Sequence, residues 1–357
     1  MIMYIISVII PIFNSENTIE RSIESFLNQK WRGNSTEELE LILIDDCSTD
    51  NTKKIIDNYA KKYSNISSYS TEYNMGSPSK ARNIGIDKSN SQYLMFMDSD
   101  DEYCEDMCQK LYDTLIQEDV SLVSCNYYDI FTSHTNKVFY CHEIPEYTIE
   151  KDYMILDSAN SMLSRNIVVW NKIFDKSIIK ENNIYFPYKV SEDIFFCWEY
   201  FSHIDKMIFL KDYYGIKRNI FSDCFSYGPN LEVVLGVIKS ARELDKKLVN
   251  EYIDFNKYPD FRYSFSIGSI EFIIKRISFF NDSESIKICL NELYNYEKEI
   301  NFNMPLENKL FNFINFFVLK KHFTIATMIF NTLNFIRNSN ILYKFSNKIL
   351  NLIKKIK

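Results

Sequence analysis

Glycine is scarce, with seven in 357 residues. That leaves few loops able to wrap a phosphate, and neither a GxGxxG nor a GxxxxGKS run occurs, which counts against the usual dinucleotide and P-loop readings. Histidine is scarcer still: His134, His142, His203 and His322 stand at no zinc-ligand spacing from one another or from a cysteine, so a zinc site is not expected. The eight cysteines make no CxxC pair and no compact disulfide framework, and reduced thiols in a cytoplasmic compartment are expected. An excess of positive charge is missing as well. Lys and Arg number 41 against 48 acidic side chains, a formal charge of -7, so no nucleic-acid partner is expected. No apolar run reaches the roughly 18 residues of a membrane span, because Lys320 and Lys321 end the stretch around LFNFINFFVL. The opening MIMYIISVIIPIF has neither a basic lead-in nor a small-residue cleavage site and reads as a strand rather than a signal peptide.

What the chain does have is apolar material, 46% of it, in an ordered alternation. Residues 5–13 are a nearly unbroken β-branched run closing at Asn14, the pattern of a strand buried on both faces of a parallel sheet. Ser15 or Asn17 then caps a helix to about Gln29. The run ELILID ends in the polar turn DDCSTDNT, where Thr49 or Asp50 caps a second helix. A short strand near 66–69, a helix starting near Ser79 and the run YLMFM at 93–97 continue the alternation. Strands separated by helices imply right-handed crossovers and an open α/β sheet, mostly parallel and flanked by helices in the Rossmann-like manner. Ligands bind such sheets beyond the carboxyl ends of the strands, where Asn14, Asp45, Asp46, Asp98, Asp100 and Asp101 fall. From about Leu231 the pattern becomes amphipathic helix, so residues 1–228 are expected to form the ligand-binding domain and 229–357 a mainly α-helical region, with the boundary near Gly228 and Pro229.

Three carboxylate groups carry the chemistry. FMDSDDE places Asp98, Asp100 and Asp101 at a strand end, where like-charge repulsion is relieved by a hard divalent cation such as Mn²⁺ or Mg²⁺; a solvated turn with an aspartate helix cap accounts for the same residues. Asp45 and Asp46 end a buried strand, where a carboxylate either accepts hydrogen bonds from a nucleobase or ribose or caps the next helix. VSEDIFFCWEY sets Glu192 and Asp193 at a helix start behind Ser191, stabilised by the helix dipole or, in the sharper reading, with Asp193 as a general base.

Taken together, SVIIPIFNSENTIERSIESFLNQ, LILIDDCSTDNT, NMGSPSKARNIGI, FMDSDD, VVWNKIFDKSII and VSEDIFF resemble, in the same order, the motifs of family 2 glycosyltransferases of the GT-A fold, among them the transferases of surface-polysaccharide and teichoic-acid pathways. The resemblance implies that Pro11 and Asp46 contact the base, that Asn74 and Arg82 lie by the nucleotide and diphosphate, that Asp98 serves ribose and metal, that Glu192 belongs to the nucleotide-sugar site, and that either Asp100 or Asp101 is the direct metal ligand. Asp193 is then the base of an inverting transfer from a nucleotide diphosphate sugar, with a UDP-sugar favoured, to a hydroxyl of a glycan, polyol-phosphate or lipid-linked acceptor. Trp170 either stacks on a sugar face or belongs to the core. Cys47 stands where the family commonly has Gly, so the turn after Asp46 must hold a side chain.

Two other classes compete. A sugar nucleotidyltransferase needs a Gly-rich basic loop for its triphosphate, and IFNSENTIE has neither glycine nor lysine. A non-enzymatic carbohydrate-binding scaffold gains little from clustered unpaired carboxylates. The final ILYKFSNKILNLIKKIK is a basic amphipathic helix that either packs on its own domain, pairs subunits into a homo-oligomer, or rests on the inner face of the cell membrane.

Overall fold

The computed structural model describes residues 4–33, 36–131, 138–140, 154–157, 167–187, 192–220, 230–247, 261–300 and 309–338. The chain divides into two compact units, residues 1–222 and 223–357. Gly228 and Pro229, Ser191, and the basic helix expected over 341–357 lie outside the described residues.

In the first unit ten strands form one sheet: β1 (Tyr4–Ile12), β2 (Leu39–Asp45), β3 (Ile66–Ser70), β4 (Ser91–Phe96), β5 (Glu102–Tyr103), β6 (Leu122–Phe131), β7 (Val138–Tyr140), β8 (Met154–Asp157), β9 (Lys172–Asp175) and β10 (Lys206–Ile220). Their order is β3-β2-β1-β4-β9-β6-β10-β5, with β7 added on β6 and β8 on β10. The stretch β3-β2-β1-β4 is parallel throughout, as the alternation of apolar runs and helices requires. Beyond it the sheet is mixed: β9 lies antiparallel to both β4 and β6, while β6 and β10 run parallel.

The helices of this unit are α1 (Ile19–Leu27), α2 (Thr52–Lys62), α3 (Pro78–Lys88), α4 (Met107–Gln117), α5 (Lys176–Glu181) and α6 (Glu192–Ser202). The start of α1 differs from expectation. Neither Ser15 nor Asn17 caps it through a side chain; the Ser15 carbonyl accepts from the Thr18 and Ile19 backbone N–H groups instead, and Thr18 occupies the cap position. At α2 the cap position is Asn51, which makes no side-chain cap bond, rather than the expected Thr49 or Asp50; Asp50, one residue earlier, accepts from the Thr52 N–H at 3.0 Å. Ser77 caps α3, accepting from Ser79 N–H, with Pro78 behind it at the first helical position, where its missing donor costs nothing.

β1 is central, and every residue from Ile6 to Ile12 is buried. Proline in such a strand normally forfeits a ladder bond. The Ile9 carbonyl accepts from Met97 N–H, so Ile9, and with it Pro11, faces β4; β4 pairs no further than Ile9, and the missing N–H of Pro11 falls where the neighbouring strand has ended. Helix α3 lies directly on this strand, because Gly85 presents no side chain toward Ile9.

The second unit comprises, among the described residues, α7 (Leu231–Lys247), α8 (Phe261–Ile277), α9 (Ser283–Glu299), α10 (Lys309–Leu319) and α11 (Phe323–Asn338). Its own core gathers Ile270, Ile274, Leu290, Leu293, Val318 and Phe330, all without exposed surface. At about 1.5–3 kcal/mol per fully buried aliphatic or aromatic side chain, such a cluster suffices to hold five amphipathic helices together.

A methyl group added at Gly85 would overlap the β-branched Ile9 side chain, which the sheet backbone fixes in place. Gly85→Ala is therefore expected to lower the urea midpoint by an amount equivalent to about 1–3 kcal/mol, although intrinsic helix propensity favours alanine by about 1 kcal/mol. A stabilised variant would refute the close approach of α3 to β1.

Candidate active site

The carboxyl ends of β1 and β2 are closed by backbone that few residues adopt. Asn14 has φ 47° and Cys47 φ 59°, and Gly76 completes the rim at φ 66°. A left-handed conformation costs a residue with a β-carbon about 1–2 kcal/mol. Cys47, in the place of an expected glycine, offsets part of this by donating from Sγ to the Thr71 carbonyl at 3.1 Å. Asp46 follows directly from the sheet, its N–H donating to the Ile12 carbonyl at 2.7 Å, one residue beyond Pro11. The Asp46 carboxylate accepts from Met75 N–H at 3.0 Å and from the Thr71 hydroxyl at 2.9 Å. Asn74 closes the loop: its Nδ2 donates to the Asp46 carbonyl at 3.0 Å, and its Oδ1 accepts from Gly76 N–H at 2.8 Å. Pro11, Asp46 and Asn74 are thus gathered at one strand end, with Asp46 5% exposed.

Arg82, on α3, is 3% exposed and is grasped by three carboxylates. Its Nη1 donates to Glu192 Oε1 at 2.9 Å and to Asp193 Oδ1 at 2.7 Å, and its Nη2 to Asp98 Oδ1 at 2.9 Å. The guanidinium also lies over the Phe186 ring, 5.2 Å from its centroid. Burial alone would disfavour the cation, but Asp193, Asp98 and Glu192 together hold it firmly protonated. Both terminal nitrogens of Arg82 are engaged by carboxylates, Asp98 among them, which is the ion pair with a strand-end Asp that the sequence also allows.

The carboxylates feel the reverse field. Burial, followed by the charge of Asp193, pushes Glu192 up to about 7 against the pull of Arg82. Asp193 is raised too, by burial and by Asp98, with Arg82 and a hydrogen bond from Val169 N–H opposing. Around the metal motif the three aspartates part company. Asp98 is bound to Arg82 and remains 35% exposed. Asp101 is 1% exposed and accepts from Asn219 N–H at 3.0 Å, and its carbonyl accepts from Ser22. Asp100, half-buried, is pushed up to about 6 by burial and then by Asp98. Among the described residues no three His, Cys, Asp or Glu side chains converge in metal-ligand geometry.

Trp170 is 4% exposed, with the Tyr127 ring edge-on at 4.6 Å and the Arg218 guanidinium 5.6 Å from its centroid, which leaves little face for a sugar and matches the core alternative. Two residues beyond it stands Lys172, which sequence reasoning passed over. It has no exposed surface; its Nζ donates to the Val168 carbonyl at 2.6 Å and to Asn171 Oδ1 at 2.9 Å. Burial lowers it to about 8, despite the fields of Cys197, Cys125 and Asp193. Lys172 thereby fixes the turn that aims Val169 N–H at Asp193. The only sequence signal was a lysine opening the short apolar strand KIFD. Asn219, the partner of Asp101, was equally unmarked.

Comparison with known proteins bears on family and fold. Residues 7–179 match the model of Glycosyl transferase family 2. The chain is 31% identical over 218 residues to the cholesterol galactosyltransferase of Borreliella burgdorferi, a match covering 59% of this chain and 59% of that protein. It is 29% identical over 220 residues to the poly(ribitol-phosphate) beta-N-acetylglucosaminyltransferase TarS of Staphylococcus aureus, covering 59% of this chain and 35% of the relative, so it spans only part of the length of these proteins. The crystal structure of S. aureus TarS 1-349 in complex with UDP-GlcNAc superposes with a TM-score of 0.66 at 18% identity, covering 92% of this chain and 91% of that one, a likeness of fold.

Removing the guanidinium leaves Asp98, Glu192 and Asp193 facing one another without a cation. Arg82→Met is expected to cost about 3–5 kcal/mol at pH 8. Because burial and mutual repulsion place Glu192 and Asp193 above their unfolded values, the native variant takes up protons that the unfolded chain does not, and stability recovers as the pH falls from about 8 to 5. Urea titrations at the two pH values test this; an equal loss at both would mean that packing, not charge, is what Arg82 contributes.

Proposed function

Since residues 7–179 belong to glycosyl transferase family 2, we propose that this chain transfers a sugar with inversion from a nucleotide diphosphate donor, in the first place a UDP-sugar, to a hydroxyl of a glycan, polyol-phosphate or lipid-linked acceptor. The observation that carries the reading is the meeting of Asp193 and Glu192 with Asp98 around buried Arg82, at the carboxyl-end rim that also holds Asp46 and Asn74. The crystallised fold relative with UDP-GlcNAc supports the donor class, and the poly(ribitol-phosphate) relative supports the polyol-phosphate acceptor.

Asp193 is the base. Burial raises its affinity for a proton, while Arg82 keeps it ionised, so it is both charged and more basic than a solvated aspartate. Val169 N–H and Arg82 take up part of its lone-pair capacity and so fix its direction. An oxygen remains to accept the proton of the acceptor hydroxyl as that hydroxyl attacks the anomeric carbon. A single base working opposite the departing diphosphate demands attack from the far face of the sugar, hence inversion. Glu192 shares Arg82 and keeps the guanidinium from neutralising Asp193 alone.

Asp98 and Asp100 suit a divalent cation, Mn²⁺ or Mg²⁺, because Asp100 sits half-buried beside a second carboxylate with its pKa raised in consequence, a charge conflict that a cation relieves. When bound, such an ion neutralises charge on the nucleotide diphosphate. Asp101 is not counted as a ligand, since its carboxylate is committed to Asn219 N–H. At the other end of the rim, Asp46 trades its Met75 and Thr71 contacts for a base imide or ribose hydroxyl with little rearrangement.

The test is nucleotide release by the purified chain across UDP-, GDP- and CMP-sugars, with and without Mn²⁺, with an acceptor supplied. Asp193→Asn is expected to lower transfer about 10²–10⁴-fold while donor affinity stays within a few-fold, and Asp100→Ala to abolish the metal dependence. Loss of donor binding in Asp193→Asn would make that residue structural, release of pyrophosphate would mean nucleotidyl transfer, and silence on every donor would favour a binding scaffold.

A further inference from the structure

The charge of the chain is divided unevenly. All 48 acidic side chains lie within residues 1–307, and residues 308–357 hold nine Lys and Arg with no Asp or Glu. The described part of this basic segment is the pair α10 and α11, joined through Lys320, Lys321 and His322, all three exposed. One side of each helix is used internally: Ile314, Val318, Ala326 and Phe330 are fully buried in the core of the second unit.

The other side is apolar too. Phe313 and Phe316 are each 55% exposed, Met328 62%, Ile325 42% and Leu310 38%. Half of the large hydrophobic side chains that are exposed among the described residues therefore fall between Leu310 and Met328; the remainder, such as Phe13 and Ile116, are scattered. Leu310, Phe313 and Phe316 follow one another at three-residue steps, and Ile325 and Met328 do the same on α11, so each set forms a stripe along its helix. Two such helices with apolar material inside and outside, basic residues at their junction and no acid are not explained by folding of the unit alone.

We infer that the outer faces of α10 and α11 rest on an anionic lipid surface, with Phe313, Phe316, Ile325 and Met328 entering the boundary between headgroups and acyl chains and Lys320 and Lys321 meeting lipid phosphates. The charge pattern selects this occupant. A second copy would bring a like-charged, acid-free face against this one, and a soluble polyanion would satisfy the lysines but leave the aromatic stripe in water. Lipid supplies both an anion layer and an apolar layer at the separation of a side chain. The contact is one of lying on the surface, since no described helix is long and apolar enough to cross a membrane.

The experiment is sedimentation of the full chain with vesicles of phosphatidylglycerol and phosphatidylcholine, and with vesicles of phosphatidylcholine alone. Binding to the anionic vesicles is expected to exceed binding to the neutral ones about tenfold and to weaken steeply with added salt. The double variant Phe313→Ser, Phe316→Ser is expected to lose about tenfold in binding with circular dichroism and thermal unfolding unchanged, as suits exposed positions. Lys320→Glu with Lys321→Glu is expected to weaken binding and flatten its salt dependence. Wild-type protein that ignores anionic vesicles, or a phenylalanine variant that binds them as well as wild type, overturns the inference. So does a concentration-dependent dimer in light scattering that the phenylalanine changes abolish, which would give the face to a second copy. None of these readings needs a sugar donor, so they stand or fall separately from the transferase reading.

Discussion

The buried guanidinium of Arg82 is the interaction on which the first unit depends. It comes from α3, its carboxylate partners from the end of β4 and the start of α6, and each element is positioned by a different stretch of chain. Three acids this close would expel one another without a cation among them, and a buried cation would be expelled without acids. Placing both at the rim of the sheet fixes the angle between α3 and α6 and loads the rim with negative charge that one arginine does not cancel. Burial, and after it this crowding of charge, raises the proton affinities of Glu192, Asp193 and Asp100, and on the proposed function it is this rim that a cation and a proton-bearing hydroxyl would use.

How much of this was legible in the sequence depended on the distance over which each feature is determined. β1, β2 and β4 were plain because each is a continuous apolar run ended by polar turn residues, a property of a few neighbours. Asp46, Asp98 and Asp100 were legible for the same reason, as acids at the ends of such runs, and Asp193 as an acid at the head of an apolar helical run. The reversal of β9 was not: KIFD reads alike in either direction, and what sets it antiparallel is its fit between β4 and β6. Lys172 was hidden because lysine is ordinarily a surface residue, and only a folded turn offers Val168 and Asn171 oxygens to bury it. That Arg82 also gathers the acids at 192 and 193 was hidden because they lie far off in sequence. The hydrogen bond that Asp101 accepts from Asn219 joins residues more distant still.

The helical region behaves differently. Its core was predictable in kind, since apolar residues recur at helical spacing, and Ile270, Ile274, Leu290 and Phe330 duly meet. Spacing does not tell which of two apolar stripes faces inward. On α10 the pairs Ile314 with Val318 and Phe313 with Phe316 are equally periodic, and only the packed structure assigns the first to the interior and the second to the outside.

The antiparallel insertion of β9 also has a consequence for how the chain acquires its fold. The parallel half, β3-β2-β1-β4, is complete once residue 96 exists, and its connections are local crossovers. Its open edge, β4, must then wait for β9, which arrives only after residue 171; β5 waits for β10 in turn. During synthesis on the ribosome the nascent chain thus carries a half-sheet with one unpaired, apolar edge for the time needed to make some further dozens of residues. Closure of that edge brings in the turn that orients Asp193. The rim that holds Arg82 and its acids is among the last parts of the sheet's end to form, and until then the open edge of β4 is free to pair with another chain.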